Sequence, residues 1–246
     1  MTFEENFDAN SYEFAVVNDG HIRNNRPPSG PALVFPKIAE ETILQAFIKR
    51  SYDLILAMLI GVALLPVMIC VGFFIKMHDG DSPFFIQKRI GKNGKIFGCI
   101  KFRTMVKDAQ VKLDAILTND PVAAIEWAKD QKLRNDPRIT GVGKFLRKTS
   151  LDELPQLWNI IRGEMSLIGP RPIVKSEVKK YGQFYKYYKS VKPGISGLWQ
   201  VSGRNNTTYV ERVRLDVEYA EKRSFLFDMA IMLRTVPVVL LSRGAF

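Results

Sequence analysis

The longest apolar run in the chain, Leu54 to Ile75, spans 22 residues without a single charge. Wound as a straight helix it reaches about 33 Å at 1.5 Å per residue, enough to cross a bilayer core. A buried core helix is the alternative, although soluble helices normally keep a polar face over that length. Pro66 sits in mid-run. It deletes a backbone hydrogen bond and crowds the carbonyl of Val62, so a break or kink is expected there. Bases flank both ends, Lys49 and Arg50 before the run and Lys76, Lys88, Arg89, Lys92 and Lys95 after it. The positive-inside rule therefore gives no single orientation and suits both ends to the cytoplasm. A helix that enters and leaves through one leaflet meets both observations; a plain transmembrane anchor competes with it.

Downstream the pattern shortens. Pro83 to Arg89 and Lys95 to Arg103 are β-rich runs around Asn93-Gly94, the spelling of a hairpin. Val106 to Lys132 reads as helix interrupted near Asp120-Pro121, Leu154 to Ile161 as a short amphipathic helix, and Asn205 to Arg223 as a longer one. Phe225 to Leu241 has only Asp228 and Arg234 as charges. It fits an interfacial helix lying along a bilayer surface, or equally a core helix. Met1 to Ile48 shows no sustained apolar period and is rich in Asn, Gly and Pro, so it reads as a flexible tail. It lacks the basic start and apolar core of a secretory signal.

Charge sharpens this division. The 246-residue chain is +11 overall, while its first 48 residues hold seven acids against three bases, leaving +15 on the remainder. An anionic partner is implied: nucleic acid, anionic lipid or a phosphorylated substrate. Only Cys70, Cys99, His21 and His78 represent their residue types. That excludes a disulfide scaffold, a Cys-rich zinc site and a His-centred triad. Any catalysis falls to carboxylates, hydroxyls and arginines.

The densest chemistry is Arg147-Lys148-Thr149-Ser150-Leu151-Asp152-Glu153-Leu154-Pro155-Gln156. Read blandly, Ser150 is an N-cap, Glu153 completes a capping box, and Asp152 complements the helix dipole. Read functionally, adjacent carboxylates at a helix start beside Arg147 make a site for Mg²⁺ and a phosphate. Consecutive helical residues diverge by about 100°, so the two acids would do different jobs. Arg171, between Pro170 and Pro172, is either a plain turn residue or a fixed clamp for a diphosphate. The Gly-rich stretch 194–203 matches neither a Walker A loop nor a Rossmann fingerprint. Trp199 reads as core, as membrane-interface packing or as a stacking platform.

Five motifs in order, KFRTM (101–105), NDPRIT (135–140), RKTSLDELPQ (147–156), RGEMSLIGPRP (162–172) and KPGISGLWQVSGRN (192–205), resemble the bacterial sugar transferases. These are monotopic phosphoglycosyl transferases, and the likeness runs from about Lys49 to the C-terminus. The short undecaprenyl-phosphate galactose- or glucose-phosphate transferases of exopolysaccharide assembly are the most similar subgroup. The resemblance implies an α-rich α+β fold with a re-entrant helix, a small β-hairpin and interfacial helices. It divides the chain into an acidic cytoplasmic tail (1–48), a re-entrant helix (49–76) and a catalytic domain (77–246) on the cytoplasmic face of the inner membrane. Where family members often carry Ser-Pro at the re-entrant break, this chain has Leu65-Pro66.

The resemblance further implies that Asp152 attacks the β-phosphate of a UDP-sugar, expels UMP and forms a phospho-sugar aspartyl ester, from which undecaprenyl phosphate takes the sugar phosphate. Mg²⁺ would be held by Asp152 and Glu153, with phosphates contacted by Lys101, Arg147, Arg171 and Arg204. Asp216 matches a family acid of unassigned role. Two other readings stay open: a sugar transferase that releases UDP, and a non-enzymatic basic module binding lipid or nucleic acid. The implied partners are donor, acceptor and membrane lipids rather than nucleic acid, with a homo-oligomer open.

Overall fold

The computed structural model describes residues 37–130, 133, 135–203 and 207–240. Its first element, α1 (Ile43–Asp79), is a single helix of 37 residues with Pro66 inside it. Of the break or kink expected at Pro66, a break is not found: the helix runs through the proline, which removes one hydrogen bond from its ladder. The helix also begins earlier than the end of the acidic stretch implied. Thr42 accepts from the Gln45 amide at 3.2 Å, and the Gln45 side chain accepts from the Thr42 amide at 3.0 Å. This capping box satisfies two of the donors that a helix start leaves open.

One face of α1 is packed along nearly its whole length. Arg50 donates to the carbonyls of Ile160 and Ile161 at 2.5 and 2.7 Å. Ala57 is buried in the main core, and Ile75 packs with Phe102 and Leu146. At the far end Asp79 pairs with the Arg103 guanidinium at 2.5 and 2.6 Å. The opposite face stays bare, with Ile55, Leu59, Val62, Ile69, Phe73 and Phe74 all exposed. Only 11% of its most apolar stretch is buried. Both ends of the helix are thus tied to one folded body, while an apolar flank faces away from it.

The body opens with the antiparallel hairpin β1 (Phe84–Ile90) and β2 (Ile96–Phe102), in register from Phe84↔Phe102 to Ile90↔Ile96. Asn93 and Gly94 take left-handed φ values of 59° and 76°, which explains the Asn-Gly spelling of the turn. Helices α2 (Ala109–Asn119) and α3 (Pro121–Asp130) are separated at Asp120-Pro121, as the pattern predicts. Next come α4 (Gly141–Thr149) and α5 (Gln156–Ile161), then β3 (Ser166–Ile168), α6 (Val178–Tyr181) and α7 (Tyr185–Ser190). The chain closes with β4 (Gly194–Ser196), α8 (Leu198–Ser202), α9 (Tyr209–Lys222) and α10 (Phe225–Leu240).

The main core gathers Ile160, Tyr187, Trp199, Ala220 and Ile231 from five helices and Met165 from the loop before β3. Strands β3 and β4 pair in parallel, Ser166 with Gly194 and Ile168 with Ser196. A methyl group on Gly169 would overlap the Lys192 carbonyl, so only glycine lets these two loops cross. Along α10, Asp228 and Ile231 are buried while Leu226, Leu233 and Val236 are exposed. The helix therefore meets both readings of its sequence: one side is core and the other is free for a bilayer surface.

Candidate active site

The carboxylate pair sits on a short 3₁₀ turn, Leu151–Glu153, between α4 and α5. Ser150 does not cap it. Its φ is 58°, it ends α4 in a left-handed conformation, and its side chain makes no capping bond. The capping-box reading of Ser150 and Glu153 is therefore replaced by a tight helix-to-helix turn. Spelling could not separate the two, because Ser-x-x-Glu serves a cap and a turn alike. The consequence is that Glu153 is free of backbone duty and can face the strands.

On β2, Lys101 meets Glu153 with Nζ 2.6 Å from Oε1. Asn159 of α5, fully buried, holds that strand in place. Its side-chain amide donates to the Gly98 carbonyl at 2.8 Å and to Glu164 at 2.7 Å, and its oxygen accepts from the Ile100 amide at 3.0 Å. Arg147, on the last turn of α4, donates from Nε to Thr104 Oγ1 at 2.9 Å. Gly143 lets α4 approach so closely that a methyl group there would overlap the Thr104 carbonyl. Behind Arg147 the buried pair Asp136–Arg138 closes at 2.6 and 2.8 Å and fixes the loop before α4.

The two acids differ sharply in environment. Burial, then the charge of Glu153, pushes the Asp152 carboxyl up to about 6, with Lys101 and Arg147 pulling the other way. Among the described residues the Asp152 carboxyl is hydrogen-bonded only by its own backbone amide, which leaves most of its acceptor capacity free. Burial also pushes Glu153 up, but Lys101 and Arg171 outweigh it and hold that carboxyl below its usual range. A raised acid and a lowered acid side by side are the division of labour expected of a reactive pair.

Three arginines complete the ring. Arg171 is exposed on its Pro-Arg-Pro turn and lies 6.0 Å from the Trp199 ring centre; Arg212 of α9 lies 4.7 Å from the same ring. Arg89 of β1 is anchored by the Pro172 carbonyl at 2.8 Å and Gln87 at 2.6 Å. Burial and Arg171 hold both the Arg89 and Arg212 guanidinium groups below their usual range. Two buried polar atoms, Arg212 Nε and Tyr209 Oη, have no partner among the described residues. Trp199 itself is buried, so it packs as core with arginines over it. Asp216, also buried, accepts from Tyr181 at 2.6 Å; burial pushes it up to about 7 against the pull of Tyr181 and Arg212.

The structure thus assembles Lys101, Arg147, Asp152, Glu153 and Arg171 in one place, and adds Arg89 and Arg212. The signal for Arg89 was present as a base on the hairpin, but it read as a membrane flank. Arg212 had no local signal, since a basic residue on an amphipathic helix is ordinary surface. Arg204 lies outside the described residues. Among them no cluster of three or more His, Cys, Asp or Glu could hold a metal alone.

The described residues form a helix-rich body with one long apolar helix along it and a carboxylate pair ringed by lysine and arginine. The chain belongs to the bacterial sugar transferase family, whose model matches residues 44–242. It is 48% identical over 200 residues to the undecaprenyl-phosphate galactose phosphotransferase of Salmonella typhimurium, covering 81% of this chain and 42% of that one. The exopolysaccharide production protein ExoY of Rhizobium meliloti is 42% identical over 221 residues, 90% of this chain and 98% of that one. The UDP-glucose:undecaprenyl-phosphate glucose-1-phosphate transferase of Escherichia coli is 37% identical over 207 residues, 81% of this chain and 41% of that one. The chain spans about two fifths of the length of the Salmonella and Erwinia amylovora relatives it matches.

Proposed function

We propose that the chain transfers a hexose-1-phosphate, galactose or glucose, from a UDP-sugar to undecaprenyl phosphate and releases UMP, priming exopolysaccharide assembly. The observation that supports this most directly is the largely uncommitted Asp152 carboxylate between Arg147 and the Lys101–Glu153 pair. An Asp152 oxygen attacks the β-phosphorus as the bond from that phosphorus to the UMP oxygen breaks, and UMP leaves with the electron pair. A phosphate oxygen of the lipid acceptor then attacks the same phosphorus, and the aspartyl oxygen departs as carboxylate. Splitting one displacement between highly charged phosphates into two steps is the use of a covalent nucleophile.

Arg147, Arg171, Arg89 and Arg212 bind and orient the diphosphate. Lys101 holds Glu153 so that one of its oxygens stays available beside Asp152. Two neighbouring carboxylates fit Mg²⁺, which normally takes one or two protein carboxylates and completes its shell with substrate phosphates and water. When bound, Mg²⁺ would supply charge neutralisation at the diphosphate and leaving nucleotide.

The membrane placement proposed is re-entrant, with the catalytic body on the cytoplasmic face of the inner membrane. Its support is that Arg50 and Asp79, on the two sides of the apolar run, both bind the same body. A helix crossing a core of about 30 Å would carry those residues to opposite sides.

The test is the nucleotide released when purified protein meets undecaprenyl phosphate, Mg²⁺ and UDP-galactose or UDP-glucose. UMP from one donor, with turnover abolished in a folded Asp152→Asn variant, is the expected result. UDP as the product would instead mean transfer of the sugar alone.

A further inference from the structure

Between the N-terminal part of α1, the start of α10 and the loop before β4 lies a cavity of about 350 Å³, within the range of roughly 300–1,000 Å³ typical of small-ligand sites. None of Lys101, Arg147, Asp152, Glu153 or Arg171 lines it. Its wall holds four acids and five bases, and the acids are already engaged. Asp53 accepts from Ser166 and from the Leu167 amide, both at 3.1 Å. Asp228 accepts from Tyr52 and Tyr219 and pairs with Lys49 at 2.7 Å. Glu41 pairs with Lys92 at 3.2 Å and Arg223 at 3.6 Å, and Glu40 with Lys37 at 2.8 Å.

Two cations remain. Arg50 donates to backbone carbonyls, which satisfies its hydrogens without neutralising its charge. Lys192 is half-buried and has no hydrogen-bond or ion-pair partner among the described residues. The two are neighbours: a methyl group on Gly163 would lie 3.5 Å from Arg50 Nη2 and 3.7 Å from Lys192 Nζ. Burial, and then Arg50, holds the Lys192 ammonium below its usual range, against the weaker pull of Asp53 and Glu41. A half-buried ammonium beside a second cation is relieved by an anion that joins them, and a phosphate bridging both is the natural complement.

Depth selects the source of that phosphate. Arg50 precedes the first residue of the uncharged run by four positions, about 6 Å along a helix, so the pair sits at headgroup level. Ile48, Tyr52 and Phe225 line the cavity, and the bare apolar sides of α1 and α10 extend beyond it. We propose that this cavity binds one anionic glycerophospholipid, its phosphate held between Arg50 and Lys192 and its acyl chains laid along α1 and α10. The inference rests on the membrane placement proposed above and not on the transfer reaction.

The full chain, recovered from floated membranes in detergent, is tested by native mass spectrometry with added phosphatidylglycerol or phosphatidylethanolamine. One phosphatidylglycerol is expected per chain, with phosphatidylethanolamine at least tenfold weaker. Lys192→Gln should lower phosphatidylglycerol retention at least tenfold, whereas Lys95→Gln on the exposed hairpin turn should not change it. Arg50 also closes the end of α5, so Lys192→Gln is the decisive variant, with circular dichroism and Tm checking its fold. Equal retention of both lipids, or retention unaffected in folded Lys192→Gln, overturns the proposal. Displacement by millimolar inorganic phosphate also overturns it, by making the cavity a free-anion site. So does displacement by one equivalent of undecaprenyl phosphate with a raised acceptor KM in Lys192→Gln, which would assign the cavity to the acceptor. Absence of the chain from floated membranes would overturn the membrane placement and this inference with it, a failure distinct from floated protein that holds no lipid.

Discussion

Asp152 meets two opposing demands with one carboxyl. In the proposed reaction it must be ionised to attack, yet the folded chain raises it from 3.8 to about 6. Below about pH 4 the acid is protonated whether folded or not, and its environment costs nothing. As pH rises through 6 the folded state holds an ionised, partly buried carboxylate at a loss, of about 2 kcal/mol after discounting for its partial exposure. Asp152→Asn should therefore raise Tm at pH 8 by about 4–8 °C, with the gain fading by pH 4; a melting series across that range checks it. The same group sets the rate: kcat/KM should rise with pH through about 6. Glu153→Gln removes the like charge, so the limb should move to lower pH, which initial rates at limiting donor would show.

At the scale of elements, what was legible and what was not divides by range. Asn93-Gly94, Asp120-Pro121 and the charge-free run each write their structure locally, and the hairpin, the α2–α3 break and α1 all follow. For Asp152-Glu153 the local spelling left capping and chemistry equally open, and the roles given to the pair came from the resemblance carried by the five motifs. Ser150 misled because it ends α4 in a left-handed conformation, which a serine three residues before a glutamate does not announce. Asn159 was invisible for another reason: a lone amide on a short helix carries no pattern, yet it joins α5 to β2. Asn159→Ala leaves the Ile100 amide and Gly98 carbonyl without that partner, at about 1–3 kcal/mol for each group left unsatisfied. It should lower Tm and also kcat, since β2 positions Lys101. A variant with wild-type kcat would show that the strand holds its place without Asn159.

For the whole molecule the decisive question is where the two sides of α1 lie. Single cysteines at Lys37 and Lys88, introduced after replacing Cys70 and Cys99, stand before and after the apolar run. Both should resist a membrane-impermeant maleimide in intact cells and react once the membrane is opened. Labelling of one alone from outside would mean that the helix spans the bilayer. Nothing in the linear pattern disclosed that α1 would lie against the body from Arg50 to Asp79. That fact resides in pairings with Ile160, Leu167 and Arg103, which no local window contains.

The network around Asp53 and Asp228 also sets a timetable for synthesis. Tyr52 and Asp228 are 176 residues apart, and ribosomes add about 5–20 residues per second. Helix α1 thus leaves the ribosome roughly nine to thirty-five seconds before its last hydrogen-bonding partner exists. Ser166 and Leu167 follow Asp53 by 113 and 114 residues, so before they are made Asp53 has only Lys49, one turn earlier on the same helix, as a partner. A chain that ends before Asp228 leaves Tyr52 without its acceptor and Lys49 without its closer acid, so the network closes only when nearly all of the chain has been made.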